Sequence, residues 1–320
     1  MGAILLALDP TSVPGEQLEA IKALAPDKPV IVTRDRQEME AVLDSVEIVA
    51  GGLPRDLLER APNLRWLQQW GAGVDWLMRS PEAREKDFIL TNASGVHAIP
   101  ISEHILAFMF AFARGLHHSI RSQTKHDWQG SKGVPVRELA GSTMVLIGVG
   151  AIGGRTAEVA AALGMRVLGV RRDPSVPAPG VEAMYGPDQL LSILPEGDFV
   201  VLTVPLTYET KGMIGERELR AMKDTAIIIN IGRGGTIQAD ALVRALREGW
   251  IGGAGLDVTD PEPLPEDSPL WDMENVIITP HNSGSTPKYE ERAMAIFLDN
   301  LRRYVAGEPL RNVVDKQLGY

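Results

Sequence analysis

The stretch Val145-Leu146-Ile147-Gly148-Val149-Gly150-Ala151-Ile152-Gly153 carries three glycines in the pattern G-x-G-x-x-G directly after an apolar run. The apolar run predicts a strand, Met144 to Ile147, and the residues from Ala151 to Leu163 have helical spacing. Between a strand and a helix, the first glycine permits a tight turn, the second lets the backbone approach a pyrophosphate, and the third lets the helix pack closely on the strand. The helix N-terminus offers unpaired N–H groups and a positive dipole end to phosphates. The stretch therefore predicts a dinucleotide-binding turn whose cofactor contacts are Gly148, Gly150, Ala151, Ile152 and Gly153.

Strands and helices alternate on both sides of this turn. The strands predicted before it are Ile4 to Leu8, Val30 to Val32, Ile48 to Ala50 and Leu64 to Gln68. Those predicted after it are Arg166 to Val170, Phe199 to Leu202, Ala226 to Asn230, Ala254 to Asp257 and Val276 to Thr279, and the helices include Ala239 to Glu248. Such alternation is typical of an α/β fold with parallel sheets covered on both faces.

Composition limits the function. The 320 residues suffice for two domains, and the formal charge of −10 argues against non-specific nucleic-acid binding, which needs a basic face. Cysteine is absent and the six histidines show no spacing such as H-E-x-x-H, so we predict no metal site. No run approaches the roughly 20 apolar residues needed to cross a bilayer, and the first ten residues lack the features of a signal peptide. We expect a cytoplasmic protein with no membrane or nucleic-acid partner.

The second strand of the dinucleotide unit ends in Gly169-Val170-Arg171-Arg172-Asp173. An NAD-preferring unit places Asp or Glu at this strand end to hold the ribose hydroxyls, whereas counting from the glycines puts Arg171 there. Arg171 and Arg172 suit the 2′-phosphate of NADP through charge-assisted contacts. The alternative is a solvated basic turn, with Asp173 as the ribose partner after a shift in register. NADP(H) is the predicted cofactor and NAD(H) the alternative.

Three polar residues follow strands of the second series: Arg233, Glu262 and His281. Here the chain resembles the D-isomer-specific 2-hydroxyacid dehydrogenase family, and within it the glyoxylate/hydroxypyruvate reductases. The resemblance runs from about Leu64 to Thr286. The segments that carry it are, in order, Gly71-Ala72-Gly73-Val74-Asp75, the glycine turn, Val204-Pro205-Leu206-Thr207, Met222-Lys223, Asn230-Ile231-Gly232-Arg233-Gly234-Gly235, Gly255-Leu256-Asp257-Val258, Pro261-Glu262-Pro263-Leu264-Pro265 and Pro280-His281.

The resemblance implies two doubly wound parallel-sheet domains. A Rossmann dinucleotide domain (100–286) would be inserted into a flavodoxin-like substrate domain (1–99 plus 287–320), with helices starting at Ile99 and Lys288 as the crossings and the active site in the cleft. Ala72 and Gly73 would present backbone N–H groups to the substrate carboxylate, and Asp257 would accept a hydrogen bond from the nicotinamide carboxamide. A homodimer formed through the dinucleotide domain is also implied. The remaining implied cofactor contacts are Val204, Pro205, Thr207, Ile231, Gly232, Arg233, His281 and Gly284.

Chemistry supports the catalytic roles that the resemblance gives to three of these residues. Reducing a 2-oxo acid needs a cation that holds the carboxylate and polarises the ketone, and Arg233 offers a planar bidentate fork. Negative charge develops on the carbonyl oxygen as hydride arrives, so a proton donor must be near, and a histidine, His281, can exist in both forms near neutrality. Glu262 within reach of His281 would favour the imidazolium and orient the ring.

Other side chains are less determined by the sequence. Trp70 is either a core residue or a wall of the substrate pocket, and Trp76 is expected to pack in the core or at a domain interface. His104 is predicted to be a structural histidine, and His117 and His118 to be solvated at a helix end whose dipole favours their charged form. The chain departs from the family at two positions. It lacks a glycine near Val145, and it lacks a polar residue near Ile99, so a cofactor contact from the helix that starts at Ile99 is not expected.

The resemblance implies NAD(P)H-dependent reduction of glyoxylate, hydroxypyruvate or a similar small 2-oxo acid to the D-2-hydroxy acid. Other functions are found on related folds. Formate dehydrogenases share the fold but place Gln where Glu262 stands, and phosphoglycerate dehydrogenases often carry an added C-terminal regulatory domain, for which nothing after Val305 suffices. A dehydrogenase acting on a bulkier 2-oxo acid stays open, as does a dinucleotide-sensing binding protein like the transcriptional corepressors of this fold. The intact set of Arg233, Glu262 and His281 favours turnover over sensing.

Overall fold

The computed structural model describes residues 2–130 and 132–319. The chain divides into two compact units, Met1–Val96 with Thr286–Tyr320 and His97–Ser285. These divisions fall a few residues before the predicted domain boundaries at 99 and 286. The α/β fold class with two parallel sheets is confirmed, and the assignment of one unit to substrate and the other to dinucleotide stays a prediction.

The first unit is built on a five-stranded sheet of order β2-β1-β3-β4-β5, in which every strand pairing is parallel. Five consecutive residues of β1 are buried, as expected of a parallel strand covered on both faces rather than on one. The strands are β1 (Ala3–Ala7), β2 (Val30–Val32), β3 (Val46–Gly51), β4 (Trp66–Gln68) and β5 (Ile89–Thr91). The helices are α1 (Gly15–Leu24), α2 (Arg36–Val42), α3 (Arg55–Arg60), α4 (Pro81–Glu85) and, from the C-terminal part, α11 (Tyr289–Ala306).

The C-terminal part completes the core of this first unit. Phe297 of α11 stacks on Trp66 of β4 with ring centroids 5.5 Å apart. The buried Asn300 donates to the buried Gln68 Oε1 at 3.0 Å. Beyond α11, the Val314 N–H donates to the Leu90 carbonyl of β5 at 2.8 Å. Residues more than 200 positions apart in the chain therefore share the apolar clusters and a buried polar network of this unit.

The second unit is built on a seven-stranded parallel sheet of order β12-β11-β10-β9-β6-β7-β8. Its strands are β6 (Thr143–Ile147), β7 (Arg166–Val170), β8 (Ala183–Tyr185), β9 (Phe199–Leu202), β10 (Ile227–Asn230), β11 (Gly253–Leu256) and β12 (Val276–Ile278). Its helices are α5 (Ala98–Ala113), α6 (Leu116–Thr124), α7 (Ala151–Ala162), α8 (Leu190–Ile193), α9 (Glu216–Ala221) and α10 (Ala239–Glu248). Two apolar clusters lie on the sheet, and one of them contains Ile105, Phe108 and Phe112 of α5.

The order of the strands reverses beside β6. From β6 the chain continues to β7 and β8 on one side, then returns to β9 on the other side and proceeds outward to β12. In such open sheets, ligands bind beyond the carboxyl ends of the strands at the point of reversal. The glycine turn follows β6 and the Val204-Pro205 segment follows β9, so both lie at that point.

The structure adds elements that the sequence pattern did not predict, namely the strands β5 and β8 and the short helices α4, α6, α8 and α9. Among the described residues, no single helix is long and apolar enough to span a bilayer. Only α5 and α6 taken together, with a bend of 73° between them, reach the required length and composition.

Candidate active site

The turn between β6 and α7 has the close contacts that its glycines predict. Gly148 has φ +100°, a left-handed conformation that favours glycine, and a β-carbon there would lie 2.9 Å from Thr203 Oγ1. A β-carbon at Gly153 would lie 2.0 Å from the Gly148 carbonyl oxygen, so α7 packs against the turn with no room for a side chain. At Gly150, the N-cap of α7, a β-carbon would meet nothing within 4 Å. The turn is tight at its first and third glycines and open at the second.

The end of β7 brings Arg171, Arg172 and Asp173 to the surface. The Arg172 guanidinium contacts the Glu209 carboxylate at 2.7 Å, and both side chains are more than half exposed. Asp173 accepts from the backbone N–H and the hydroxyl of Ser175 at 3.0 and 2.5 Å, and these hydrogen bonds lower the pKa of Asp173. The Asp173 carboxylate is therefore engaged within its own turn.

The turns after β9 and β10 lie against one another. A β-carbon at Gly232 would lie 2.5 Å from the Val204 carbonyl oxygen, and Ile231 and Thr207 are buried beside them. The Thr210 hydroxyl donates to the Pro205 carbonyl at 2.6 Å and accepts from the Thr207 N–H at 2.8 Å. The predicted contacts Val204, Pro205, Thr207, Ile231 and Gly232 thus lie in two turns whose backbones approach closely.

The turn that carries Arg233 is held by two buried polar residues that sequence reasoning missed. The Asn230 amide accepts from the Gly232 N–H at 3.1 Å and donates to the Arg233 carbonyl at 3.0 Å, and the Thr236 hydroxyl donates to that same carbonyl at 2.7 Å. Asparagine side chains commonly accept a hydrogen bond from the backbone two residues further on, so the sequence Asn230-Ile231-Gly232 could have predicted this turn. A β-carbon at Gly234 would lie 2.0 Å from the Thr259 carbonyl, so the Arg233 turn abuts the segment leading to Glu262.

Glu262 and His281 form a direct pair. His281 Nδ1 lies 2.6 Å from Glu262 Oε1, with the two side chains 43% and 42% exposed. Because a carboxylate can only accept, Nδ1 carries the proton in this contact and Nε2 is the ring nitrogen left for other partners. His281 has φ +50°, a left-handed conformation uncommon for a residue with a side chain.

Asp257, directly after β11, is buried and accepts the backbone N–H groups of Asn282 and Ser283 at 3.0 and 3.1 Å. The Gly284 carbonyl contacts His97 Nδ1 at 3.0 Å. His97 and Asp257 thereby hold the two ends of the segment that follows His281.

In the first unit, the carbonyl groups of Ala72 and Gly73, in the loop after Trp70, each accept a hydrogen bond from a side chain. Asn92 donates to the Ala72 carbonyl at 2.8 Å, and Gln69 donates to the Gly73 carbonyl. Within the described residues the N–H groups of Ala72 and Gly73 make no hydrogen bond. Trp70 is buried, packs against Phe297 and donates from Nε1 to Glu290 at 2.8 Å, which are the contacts of a core residue.

The remaining histidines differ from one another. Burial lowers the pKa of His104, whose Nε2 contacts the Thr279 hydroxyl at 3.0 Å, in keeping with a structural histidine. The prediction that His117 is solvated and favoured in its charged form is wrong. His117 lies in the first turn of α6 against Phe112, and burial lowers its pKa. Among the described residues, no group of histidine and acidic side chains could hold a metal ion.

Comparison with known proteins identifies relatives along the whole chain. A family profile described as "D-isomer specific 2-hydroxyacid dehydrogenase, NAD binding domain" matches residues 106–283. A glyoxylate reductase from Korarchaeum cryptofilum (strain OPF8) is 35% identical over 299 residues, covering 92% of this chain and 87% of that protein.

Two solved structures are also similar. A D-isomer specific 2-hydroxyacid dehydrogenase from Xanthobacter autotrophicus Py2, in complex with NADPH and MES, has a TM-score of 0.85 at 30% identity and covers 100% of this chain and 99% of its own. An NADPH-dependent glyoxylate/hydroxypyruvate reductase from Sinorhizobium meliloti, in complex with NADP and sulfate, has a TM-score of 0.84 at 29% identity and covers 100% of both chains.

Proposed function

Because the chain belongs to the D-isomer specific 2-hydroxyacid dehydrogenase family of NAD(P)-dependent oxidoreductases, we propose that it reduces glyoxylate, hydroxypyruvate or a similar small 2-oxo acid to the D-2-hydroxy acid, with NADPH preferred. The observation that carries this proposal is the 2.6 Å contact between His281 Nδ1 and Glu262 Oε1. It pairs a histidine with a carboxylate at the carboxyl ends of the strands, where sheets of this kind bind their ligands.

The turn after β6 fits a dinucleotide. The space at Gly150 is open, and the N–H groups of Ala151, Ile152 and Gly153, in the first turn of α7, have no partner within the helix. When bound, a nicotinamide dinucleotide supplies the hydride. Arg171 and Arg172 would hold a 2′-phosphate, and the engagement of Asp173 with Ser175 supports them over Asp173 as the residues that choose the cofactor.

Each member of the catalytic set has a distinct task in this proposal. Arg233 binds the substrate carboxylate and polarises the ketone. In the first unit, the backbone N–H groups of Ala72 and Gly73 are the proposed substrate contacts. His281 donates a proton from Nε2 to the carbonyl oxygen as negative charge develops there. Glu262 accepts from Nδ1, keeps the ring oriented and stabilises the imidazolium before the proton leaves.

A matrix of NADH and NADPH against 2-oxo acids of increasing size tests the proposal. We expect the highest kcat/KM with NADPH and glyoxylate or hydroxypyruvate. A higher value with NADH would overturn the cofactor preference, and a higher value with a bulkier 2-oxo acid would overturn the substrate class. NADPH binding without turnover of any 2-oxo acid would instead favour a dinucleotide-sensing protein.

Variants locate the cofactor preference. Replacing Arg171 and Arg172 together with Gln is expected to weaken NADPH far more than NADH, because only NADPH carries the 2′-phosphate. Arg247→Gln, at an exposed position of α10, is the matched control and should change neither affinity. Equal effects on the two cofactors would mean that Arg171 and Arg172 are solvated residues only.

We further propose a homodimer formed through the second unit. Exposed apolar side chains between residues 110 and 136 support it, because packing them against a second copy would remove their apolar surface from water. The Arg137 N–H donates to the Ala113 carbonyl at 2.9 Å and so ties the two ends of this stretch together. The side chains are Phe110, Leu116, Ile120, Trp128 and Val136. Sedimentation should show a dimer that Ile120→Lys with Trp128→Ser dissociates, and a wild-type monomer would refute it.

A further inference from the structure

The residues that follow His281 are held by one buried carboxylate. Asp257 accepts the N–H groups of Asn282 and Ser283 on its side chain, and its backbone carbonyl accepts the His281 N–H at 2.9 Å. Its side chain is fully buried, so these hydrogen bonds satisfy carboxyl oxygens that water cannot reach. Three successive residues, beginning with the proposed proton donor, are therefore positioned by Asp257.

Asp257 is itself held by Thr279, which directly follows β12, and through Thr279 by His104 of α5. The Thr279 hydroxyl lies 2.6 Å from Asp257 Oδ1, the shortest hydrogen bond that this carboxylate makes, and 3.0 Å from His104 Nε2. A hydroxyl has one proton, and an ionised carboxylate can only accept, so Thr279 donates to Asp257 and must accept from His104 Nε2–H. A directed chain of donors thus runs from His104 through Thr279 to Asp257.

His104 is fixed by its surroundings. Its ring packs edge-on against Phe108 with centroids 4.8 Å apart, and its side chain is 23% exposed. Burial lowers its pKa, and the nearby Asp257 carboxylate offsets part of that effect. The neutral ring with its proton on Nε2 is the form that the chain of donors requires.

We infer that Thr279 and His104 are positioning residues, which hold the Asp257 carboxylate and through it the backbone that carries His281. This inference rests on the proposed function, since it matters for turnover only if His281 donates the proton. His281 has a left-handed backbone conformation that is unfavourable for a residue with a side chain, so it needs neighbours that fix it. If the Asp257 carboxylate were less firmly held, the backbone of His281 to Ser283 would become more mobile, and the glycine turn after β6 would not change.

Matched substitutions test the inference. Thr279→Val keeps the shape and removes the hydroxyl, whereas Thr279→Ser keeps it. His104→Leu removes the donor, whereas His104→Gln keeps an N–H at a similar reach. We expect Thr279→Val to lower kcat by about 10- to 100-fold with little change in the KM of the 2-oxo acid, the loss expected for one hydrogen bond to a charged group. Thr279→Ser should stay within about twofold of wild type, and His104→Gln should restore most of what His104→Leu loses.

A second measurement does not depend on turnover. Hydrogen exchange of the peptide containing Asn282 and Ser283 should be faster in Thr279→Val and in His104→Leu than in their conservative partners. In the double variant the two effects should not add, because both act through the same carboxylate.

The outcomes separate the inference from the proposed function. If wild type reduces glyoxylate but Thr279→Val matches Thr279→Ser in kcat and exchange, the inference is overturned and the function stands. If Thr279→Val only lowers the melting temperature, its role is structural and the inference is also overturned. If wild type binds NADPH without reducing any 2-oxo acid, the proposed function fails, and the exchange rates alone decide whether Thr279 and His104 hold the segment.

Discussion

The three glycines near the start of α7 allow a direct test of the dinucleotide turn, because an added methyl group would clash at one of them and meet open space at the other two. At Gly150 it would meet nothing within 4 Å, at Gly153 it would lie 2.0 Å from the Gly148 carbonyl oxygen, and at Gly154 it would again meet open space. Gly150→Ala, Gly153→Ala and Gly154→Ala therefore separate space reserved for a ligand from space required by packing.

The expected magnitudes follow from these distances. Gly153→Ala must push α7 away from the turn and should lower the free energy of unfolding by about 1–3 kcal/mol, as overpacking does. Gly154→Ala, inside α7, should raise it by about 0.5–1 kcal/mol, since alanine is the better helix former. Gly150→Ala should cost under about 1 kcal/mol, the difference between these residues at an N-cap. Yet its methyl group would occupy the path of a pyrophosphate, so NADPH should bind about tenfold or more weakly.

Urea denaturation and NADPH fluorescence titration measure the two quantities on the same samples. The expected result is that Gly150→Ala weakens NADPH binding without lowering the free energy of unfolding, and that Gly154→Ala lowers neither quantity. If Gly150→Ala binds NADPH as wild type does, the cofactor does not approach the backbone at this turn and the assignment is wrong. A fully stable Gly153→Ala would contradict the close packing of α7.

Three further changes have defined outcomes. His281→Ala should lower kcat by about 10²- to 10⁴-fold, the contribution of a general acid, and should leave the NADPH affinity nearly intact. His126→Ala, in an irregular segment, is the control. Loss of NADPH binding in His281→Ala would refute the role of His281 as proton donor. Glu209→Gln removes a carboxylate that contacts Arg172 at 2.7 Å and would repel a nearby 2′-phosphate. An exposed ion pair is worth at most about 1 kcal/mol, so NADPH should bind up to about fivefold more tightly and NADH unchanged; tighter NADH binding would contradict this. Because the pKa of His104 is lowered from 6.5 in the folded protein, the unfolded chain takes up a proton first, and stability falls as the pH drops below about 6.5. His104→Gln should show a shallower loss of unfolding free energy in urea melts between about pH 7.5 and 5.5, and an identical slope would count against a neutral buried His104.

Prediction from the sequence succeeded best for features that are encoded by consecutive residues. Gly148, Gly150 and Gly153 and the apolar strand before them can be recognised because a tight turn leaves a strict pattern in consecutive residues. By contrast, β5 (Ile89–Thr91) and β8 (Ala183–Tyr185) have three residues each and lack the unbroken Val-Ile-Val run by which the equally short edge strand β2 was predicted.

The same distinction separates the predicted from the missed site residues. Arg233, Glu262 and His281 follow predicted strands, so topology alone brings them to one edge of a sheet. Thr279 and His104 meet across 175 residues, and nothing in either local segment shows that a hydroxyl and an imidazole will be neighbours. His117 was predicted wrongly for a related reason, since its burial depends on the ring of Phe112 and on where α6 begins.

The core contributed by Phe297, Asn300 and Val314 bears on the order of events during synthesis. The second unit, His97–Ser285, is continuous and has all of its strands once Ser285 has left the ribosome. The strands of the first unit are translated first, but this unit is completed last. Trp66, Gln68 and Leu90 receive their partners Phe297, Asn300 and Val314 only when the end of the chain has been made. Until then its five-stranded sheet exposes apolar surface, the condition in which nascent proteins depend most on chaperones. Premature termination near residue 290 would thus leave the second unit whole and the first without the core residues that α11 contributes.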